Sequence, residues 1–434
     1  MTNDNINLFK LIHLDIYPID NEKTSIHIPT KDSDSIKIDL YLKINERICP
    51  HCGSISCTIH DTIIKRINHS VIPNREILLL FHQRKFKCKD CQSTFLQDNP
   101  MCKSEHSITS SGELSILEEL RNPRVTFKDA ARYFHVPETS VIRLFDERID
   151  IKRHTFDTVI CIDEIYQKKL TKHKYCCVLF DPFKVQIIDI LDSRHKDILE
   201  GYLFQIPIKE RLNVKYVNMD MYSTYIEVSK KYFPNSVACI DSFHVIKHLV
   251  KAINDIRIRV QKKFLNHKND DRNGYYWLLK TFSYYFVMNF DNIKYTRRPR
   301  SHYSYLYTKD DVLSKLLSID DELKTAYKLK EEYREFNLVA SYEEAKEKLP
   351  DFIERFKSSD SKEFREFGRM LERWKENILN SFIYVDGKRM NNGTMESCNG
   401  RIRRIIDNGY GFSNFTRFRN KVMYSLNKDE PIKW

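Results

Sequence analysis

The chain has 434 residues, of which 41% are hydrophobic, and carries a formal net charge of +12. This length and composition exclude a disordered tail and predict roughly two to four globular domains. The positive charge favours nucleic acid as the partner, with an anionic membrane surface second, although a basic protein without such a partner has the same balance.

The sequence shows no pattern of a membrane span or of a signal peptide, and this indicates the cellular compartment. No apolar run approaches the ~18 residues of a membrane span, and the first twenty residues do not follow a signal-peptide pattern. We therefore expect a cytoplasmic protein. Its eleven cysteines are then not a disulfide framework, and their clustering needs another cause.

The first hundred residues predict a β-rich region with a metal site. Alternating apolar residues indicate a small β unit over residues 1–48. Two Cys-x-x-Cys pairs follow in residues 49–105, namely Cys49 with Cys52 and Cys88 with Cys91. Four thiolates in two pairs can close a tetrahedral shell around zinc, which is the pattern of a zinc ribbon. The pairs are far apart for a ribbon, so we expect an inserted hairpin. Two unrelated pairs or a redox site are the alternatives.

Residues 106–150 have helical spacing and predict a helix-turn-helix DNA-binding domain. Thr126 and Asp129 have the spacing of a helix N-cap. A short break at residues 135–137 separates this helix from a second one, which would offer Thr139, Ser140 and Arg143 to a DNA groove. An ordinary pair of antiparallel helices is the alternative.

From residue 158 the pattern changes to strands, and residues 151–250 predict a mixed α/β sheet. The order is three antiparallel strands followed by helix, strand, helix and strand, which is the ribonuclease-H-like order. Three of these strands end in an acid, at Asp163, Asp220 and Asp241. Ligands of open α/β sheets, including metal ions, bind at such strand ends.

Residues 251–385 have almost no strand signal and predict an all-helical insertion. Within it, Arg297, Arg298 and Arg300 lie near several tyrosines. Bases can stack on such aromatic side chains, so this loop is a candidate DNA contact. An exposed loop with solvated charge explains it equally well.

Residues 386–434 contain a predicted helix with a further candidate acid, Glu396. At helical spacing Glu396, Asn399, Gly400 and Arg403 share one face. A carboxylate and a guanidinium on one face suit a metal-dependent phosphate site. Taken alone, a surface helix with a charge pair is the simpler interpretation.

Three carboxylates thus become candidates for one catalytic site: Asp163, Asp220 and Glu396. Two divalent ions at one site need several hard oxygen ligands. Glu372 and Glu376 are alternatives to Glu396, but both lie in a charged amphipathic run. Glu164 follows Asp163 and, by strand alternation, should point to the opposite face.

These motifs together resemble the DDE transposases of the ISL3 family of bacterial insertion sequences. The resemblance covers nearly the whole chain. It rests on the two cysteine pairs, the helix-turn-helix, and the blocks Ile162-Asp163-Glu164, Asp220-Met221-Tyr222, Asp241-Ser242-Phe243-His244 and Glu396-Ser397-Cys398-Asn399-Gly400-Arg401.

The resemblance implies a ribonuclease-H-like core that is interrupted by the helical insertion. Residues 386–434 would be the C-terminal part of this core and would contain the catalytic Glu. The resemblance also implies Mg²⁺ or Mn²⁺ at Asp163, Asp220 and Glu396, and structural Zn²⁺ at the four cysteines. It places Asp241 and His244 near the active site, although a strand-end acid and a capping His explain them equally well. Arg403 is expected near the site because it shares the face of Glu396, and Arg401 and Arg404 are candidate DNA contacts.

The resemblance further implies a transposase that binds the terminal inverted repeats of its element, then cleaves and joins DNA strands. Such an enzyme acts as a homodimer or larger oligomer and associates with the bacterial nucleoid. Two alternatives keep the same motifs: a catalytically silent DNA-binding regulator derived from a transposase, and a ribonuclease-H-like nuclease without strand transfer.

Overall fold

The computed structural model describes residues 8–28, 35–44, 47–103, 106–167, 170, 173–265, 271–294, 308–390 and 393–433. The chain divides into two compact units. The first contains Met1–Lys152, Lys169–Lys172 and Gly400–Trp434, and the second contains Arg153–Lys168 and His173–Asn399.

The first unit begins with a five-stranded sheet. Its strands are β1 (Ser25–His27), β2 (Ser35–Leu40), β3 (Cys57–Asn68), β4 (Glu76–Cys88) and β5 (Thr94–Leu96). Their order is β1-β2-β4-β3, and β5 also pairs with β4. The antiparallel β3–β4 pair is the hairpin expected between the two cysteine pairs.

The predicted β unit and the predicted zinc ribbon share this one sheet. Strand β2 pairs in parallel with β4, which sets Ile38 opposite Leu79 and Leu40 opposite Phe81. All four side chains are fully buried in one hydrophobic core. Burying them together removes apolar area from water that neither segment could cover alone.

Three helices follow in the first unit: α1 (Ser110–Glu119), α2 (Phe127–Tyr133) and α3 (Glu138–Arg148). Helix α2 begins with the expected cap, because the Thr126 side chain accepts from the Asp129 amide while the Asp129 carboxylate accepts from the Thr126 amide. Such a capping box satisfies two amide groups that the helix itself leaves without partners. The turn to α3 contains His135 at φ +54°.

The second unit is built on a mixed sheet. Its strands are β6 (Val159–Tyr166), β7 (Tyr175–Asp181), β8 (Gln186–Leu191), β9 (Tyr216–Met219) and β10 (Val237–Ile240). Helices α4 (Lys196–Phe204), α5 (Ile208–Asn213) and α6 (Ser223–Tyr232) connect the later strands. The order is β10-β9-β6-β7-β8, so β6 is central. It runs antiparallel to β7 and parallel to β9. The element order agrees with the sequence prediction except for α5, a second helix before β9 that was not predicted.

A helical block completes the second unit. It consists of α7 (Ser242–Lys262), α8 (Asp271–Thr281), α9 (Tyr284–Val287), α10 (Lys309–Leu317), α11 (Asp321–Val339), α12 (Tyr342–Lys357), α13 (Lys362–Arg373) and α14 (Lys375–Asn380). The short hairpin of β11 (Tyr384–Val385) and β12 (Lys388–Arg389) follows. Sheet and helices share one hydrophobic core. The predicted contacts Arg297, Arg298 and Arg300 lie outside the described residues.

The chain ends with α15 (Gly393–Asn408) and α16 (Phe415–Leu426). The predicted C-terminal segment 386–434 is divided between the units after Asn399. Residues from Gly400 belong to the first unit because α16 packs on its helices. Tyr424 Oη donates to the Leu117 carbonyl at 3.1 Å, and Asn420 Nδ2 donates to the Ile149 carbonyl at 2.9 Å. Across the described ranges, no helix combines the length and apolar character needed to cross a bilayer.

Candidate active site and zinc centre

The four predicted zinc ligands meet at one end of the β3–β4 hairpin. The Sγ atoms of Cys49, Cys52, Cys88 and Cys91 all lie within 4.8 Å of one another. Cys49 Sγ is 3.5 Å from Cys91 Sγ, and Cys52 Sγ is 3.6 Å from Cys88 Sγ. A tetrahedral ion with Zn–S bonds of about 2.3 Å requires sulfur atoms separated by about 3.8 Å, so the quartet fits zinc.

Each cysteine pair is held in a knuckle of the same backbone shape. Gly53 and Gln92 follow the second cysteine of their pairs, and both have positive φ, at 73° and 60°. The Ser93 hydroxyl hydrogen-bonds the thiol of Cys91 and lowers its pKa to about 6. Because the thiolate is the form that binds metal, this contact prepares Cys91 as a ligand.

Asp163 lies within the central strand β6, its side chain almost fully buried. The prediction that the strand ends at this acid is wrong, because pairing with β7 continues the strand to Tyr166. Asp163 Oδ1 accepts from the Glu164 backbone amide at 2.7 Å. Burial and, second, the neighbouring charge of Asp220 together raise the pKa of the Asp163 carboxyl to about 7. A buried acid next to a second acid is the arrangement that a bound cation would relieve.

Asp220 follows β9, and Asp241 follows β10 and caps helix α7. His244, in the first turn of α7, stands between them. Its Nδ1 is 2.8 Å from Asp220 Oδ1 and 3.2 Å from Asp241 Oδ2. Burial lowers the pKa of His244, but the two carboxylates outweigh it and raise the pKa to about 10. The imidazole is therefore a cation that neutralises part of the acidic cluster.

Glu396 lies in the first turn of α15 and is half-buried. Burial raises the pKa of its carboxyl, and the charges of Asp241 and Asp220 add to the increase. Three residues later, Asn399 Nδ2 donates to Asp163 Oδ2 at 2.6 Å across a separation of 236 residues. The start of α15 is thus joined directly to the central strand.

The alternative glutamates are in different surroundings. Glu372 is exposed and pairs with Lys357 at 2.8 Å, and Glu376 is exposed as well. Neither side chain meets the strand-end acids in the contacts of the described residues. These surroundings favour Glu396 among the three glutamates.

The residues around the acids are oxygen-rich and suit a hard divalent ion. Burial and mutual repulsion raise the pKa of Asp163, and the buried Oδ1 of Asn399 has no hydrogen-bond partner. Asp163, Asp220 and Glu396 do not converge as closely as the cysteines. Among the described residues, the cysteine quartet is the one set of possible metal ligands within 4.8 Å.

Arg194 is a neighbour of the site that the sequence did not indicate. Its guanidinium binds the Glu164 carboxylate and lies over the rings of Tyr175 and Tyr222, at 4.5 and 4.9 Å from the centroids. The sequence did indicate Asn399 as a neighbour of the site, because helical spacing puts it on the same face as Glu396. It could not indicate Arg194, because the partners of Arg194 come from separate strands and loops.

The predicted DNA-contacting residues of α3 lie on its outer face. Thr139 and Arg143 are exposed and Ser140 is half-buried. The opposite face buries Val141, Leu144 and Phe145. Arg401, Arg403 and Arg404 are exposed on the part of α15 that belongs to the first unit.

Two family models match this chain. A model of ISL3 transposases covers residues 160–422, which includes the central sheet, the helical block and Glu396. The chain belongs to the ISL3 family of transposases. A second model, the zinc-finger of transposases IS204, IS1001, IS1096 and IS1165, covers residues 45–91 and includes all four cysteines.

A curated relative agrees with this membership. The transposase for insertion sequence element IS1001 of Bordetella parapertussis is 21% identical over 391 residues, covering 89% of this chain and 90% of the relative. The chain is therefore an insertion-sequence transposase with a zinc ribbon.

Proposed function

We propose that this ISL3 transposase cleaves and joins DNA strands at a metal-dependent site formed by Asp163, Asp220 and Glu396. One observation carries the proposal. Asn399, on the helix of Glu396, hydrogen-bonds Asp163 at 2.6 Å although 236 residues separate them. The chain thereby brings the helix of the third acid to the strand of the first.

The catalytic core is proposed to be ribonuclease-H-like. Its support is the strand order β10-β9-β6-β7-β8, with three antiparallel strands followed by two parallel ones. This order sets Asp163 on the central strand and Asp220 at the end of the adjacent one. Strand ends of such sheets are where ligands bind. The helical block before Glu396 is the insertion of the proposed core.

The chain's own residues prepare the site for a divalent cation, with Mg²⁺ or Mn²⁺ as the expected ions. Asp163, Asp220 and Glu396 would hold the metal. Bound divalent ions would activate a water or 3′-hydroxyl nucleophile and stabilise the leaving oxygen at phosphorus. His244 contacts Asp220 and Asp241 and holds both carboxylates in place, and Asn399 fixes the orientation of Asp163.

DNA recognition is assigned to the first unit. The exposed Thr139 and Arg143 of α3, with half-buried Ser140, would enter a groove of the terminal inverted repeat, in the manner of a helix-turn-helix. The zinc ribbon and the exposed Arg401 and Arg404 would contact the backbone, and the net charge of +12 supports such contacts. Because two ends must meet, a homodimer or larger oligomer is expected on DNA.

The test uses a linear donor DNA with labelled element ends, incubated with the full-length protein and Mg²⁺. We expect specific end binding, then cleavage and joining, with Asp163→Ala abolishing the chemistry but not the binding. Binding without metal-dependent chemistry in the wild type would identify a regulator. Cleavage that ignores the end sequence and yields no joined product would identify a nuclease.

A further inference from the structure

The side chain of Asn399 is the least expected feature of the acidic centre. It is an amide buried to 2% exposure on the inner side of α15. Its Nδ2 donates to Asp163 Oδ2 at 2.6 Å. A short hydrogen bond from a neutral donor to a carboxylate is strong and directional, so it fixes how the Asp163 carboxylate is turned.

The same contact fixes the amide itself. When the Asp163 carboxyl is ionised, as it must be to bind a cation, turning the amide over would set its oxygen against the carboxylate, with two acceptors facing each other. The Oδ1 atom is therefore held away from Asp163. In the described structure this buried oxygen has no hydrogen-bond partner. An unsatisfied buried acceptor costs about 1–3 kcal/mol, so its retention calls for a ligand.

The surroundings define the chemistry of that ligand. The negative charge of Asp220 raises the pKa of both Asp163 and Glu396, so the three carboxyl groups lie near one another. An amide oxygen is a hard neutral ligand of the kind that Mg²⁺ and Ca²⁺ accept, directly or through a bound water. An anion or an apolar group would meet the acids unfavourably.

We propose that Asn399 belongs to the divalent-cation site, with Nδ2 orienting Asp163 and Oδ1 facing the cation or a water bound to it. The inference rests on the proposed function, because it assigns a further residue to the same site. Asn399 is thus a positioning residue for Asp163 and a neutral oxygen donor, and it adds affinity for the cation without adding charge to a crowded set of carboxylates.

A purely structural role is the competing explanation, since the bond also ties a helix to a strand. The chain offers a matched control for that role. Asn380, in α14, donates from Nδ2 to the Ala238 carbonyl at 2.9 Å and ties its helix to strand β10. It binds a backbone carbonyl and not a carboxylate, so Asn380→Ala removes a comparable tie without touching the acids.

The experiment measures binding of Mg²⁺ and Mn²⁺ by the full-length protein without DNA. Thermal unfolding is followed in chelator-treated buffer as each metal is added, and Mn²⁺ binding is checked by electron paramagnetic resonance. We expect Asn399→Ala to raise the metal concentration for half-maximal stabilisation by about tenfold or more, the range found for residues that orient metal ligands. Asn380→Ala should lower the unfolding temperature at every metal concentration and leave that midpoint unchanged.

A second variant covers the case in which Asn399→Ala does not fold. Asn399→Asp keeps an oxygen but replaces the donor with a charge beside Asp163. It should be less stable than the wild type without metal and should gain more stability than the wild type when Mn²⁺ is added. If either folded Asn399 variant keeps the wild-type metal midpoint, the assignment is overturned and the bond is only a structural tie. If the wild type itself neither binds metal nor cleaves DNA, the proposed function fails first.

Discussion

The Nδ1 atom of His244 lies 2.8 Å from Oδ1 of Asp220, and the same nitrogen is 3.2 Å from Asp241 Oδ2. One imidazolium thus holds two strand-end acids from neighbouring parallel strands. The pKa of His244, raised to about 10, keeps this charge in place at neutral pH. In the absence of a metal ion, the positive charge of His244 offsets part of the repulsion between the carboxylates of the acidic cluster.

His244→Ala should therefore destabilise the metal-free protein more than the metal-bound one. Removing the imidazolium leaves two carboxylates without their hydrogen-bonding partner, at a cost of about 1–3 kcal/mol. Added Mg²⁺ should restore part of this loss. The measurement is thermal unfolding in chelator and in Mg²⁺. His248→Ala, on the exposed side of the same helix, is the control, and equal losses in both variants would contradict the assignment.

The pH dependence of this contact has a defined sign. The folded-state pKa of His244 lies above the unfolded value of about 6.5, so the stability it contributes is complete below that value and is lost as pH rises towards 10. The difference in unfolding free energy between wild type and His244→Ala should shrink over this interval. A difference that grows with pH would count against the ion pair.

Asp163→Asn should stabilise the metal-free protein while abolishing DNA cleavage. The folded-state pKa of about 7 exceeds the unfolded value of about 3.9. The native state therefore binds more protons between these values, and wild-type stability falls as pH rises through them. At pH 8 in chelator the variant should be more stable by about 1–3 kcal/mol, measured by denaturant unfolding. Near pH 4 the two proteins should be equally stable.

Glu164→Gln should reduce strand cleavage far less than Asp163→Asn. Glu164 binds Arg194, which is supported by two tyrosine rings, and a glutamine can keep a hydrogen bond to the guanidinium. We expect Glu164→Gln to cleave within about tenfold of the wild type, whereas Asp163→Asn should abolish cleavage because it removes a proposed metal ligand. Comparable losses in single-turnover assays would mean that Glu164 takes part in the chemistry.

Removal of zinc should affect DNA binding more than the stability of the second unit. Cys88→Ser with Cys91→Ser should lose the one zinc ion per chain, because metal binding and folding of such a site are coupled. Specific end binding, measured by gel shift, should fall with it. Cys57→Ser is the control, since Cys57 is buried and paired opposite Cys88 but lies outside the quartet. Specific binding that survives zinc loss would exclude the ribbon from recognition.

Arg143→Ala should weaken binding to element ends. Arg143 is exposed on α3 and forms a long ion pair with Glu147, at 3.9 Å. If Arg143 contacts a base, the variant should lose about 1–3 kcal/mol of binding free energy on the element end and little on unrelated DNA. If Arg143 contacts a phosphate, the slope of the logarithm of the binding constant against the logarithm of salt concentration should fall in magnitude by about one. Arg369→Ala, an exposed arginine in α13, should leave both quantities unchanged. Unaltered binding by Arg143→Ala would remove α3 from the interface.

Much of the architecture was determined by local sequence. Two Cys-x-x-Cys pairs can close one tetrahedral shell, so the zinc quartet was predicted from spacing alone. The capping box at Thr126 and Asp129 needs residues only three positions apart, and the strand and helix order from residue 159 to residue 240 follows from hydrophobic periodicity. In each case the interacting residues are near neighbours in the chain or repeat with a fixed period.

Tertiary structure decided what depends on distant partners. The parallel pairing of β2 with β4 merged two predicted units into one sheet, because their apolar faces are buried together. The residues after Asn399 joined the first unit, because Tyr424 and Asn420 find their partners there. The Asn399–Asp163 bond and the Arg194–Glu164 pair join residues 236 and 30 positions apart. No periodicity encodes such contacts, since only the packing of helices on the sheet brings their atoms within hydrogen-bond distance.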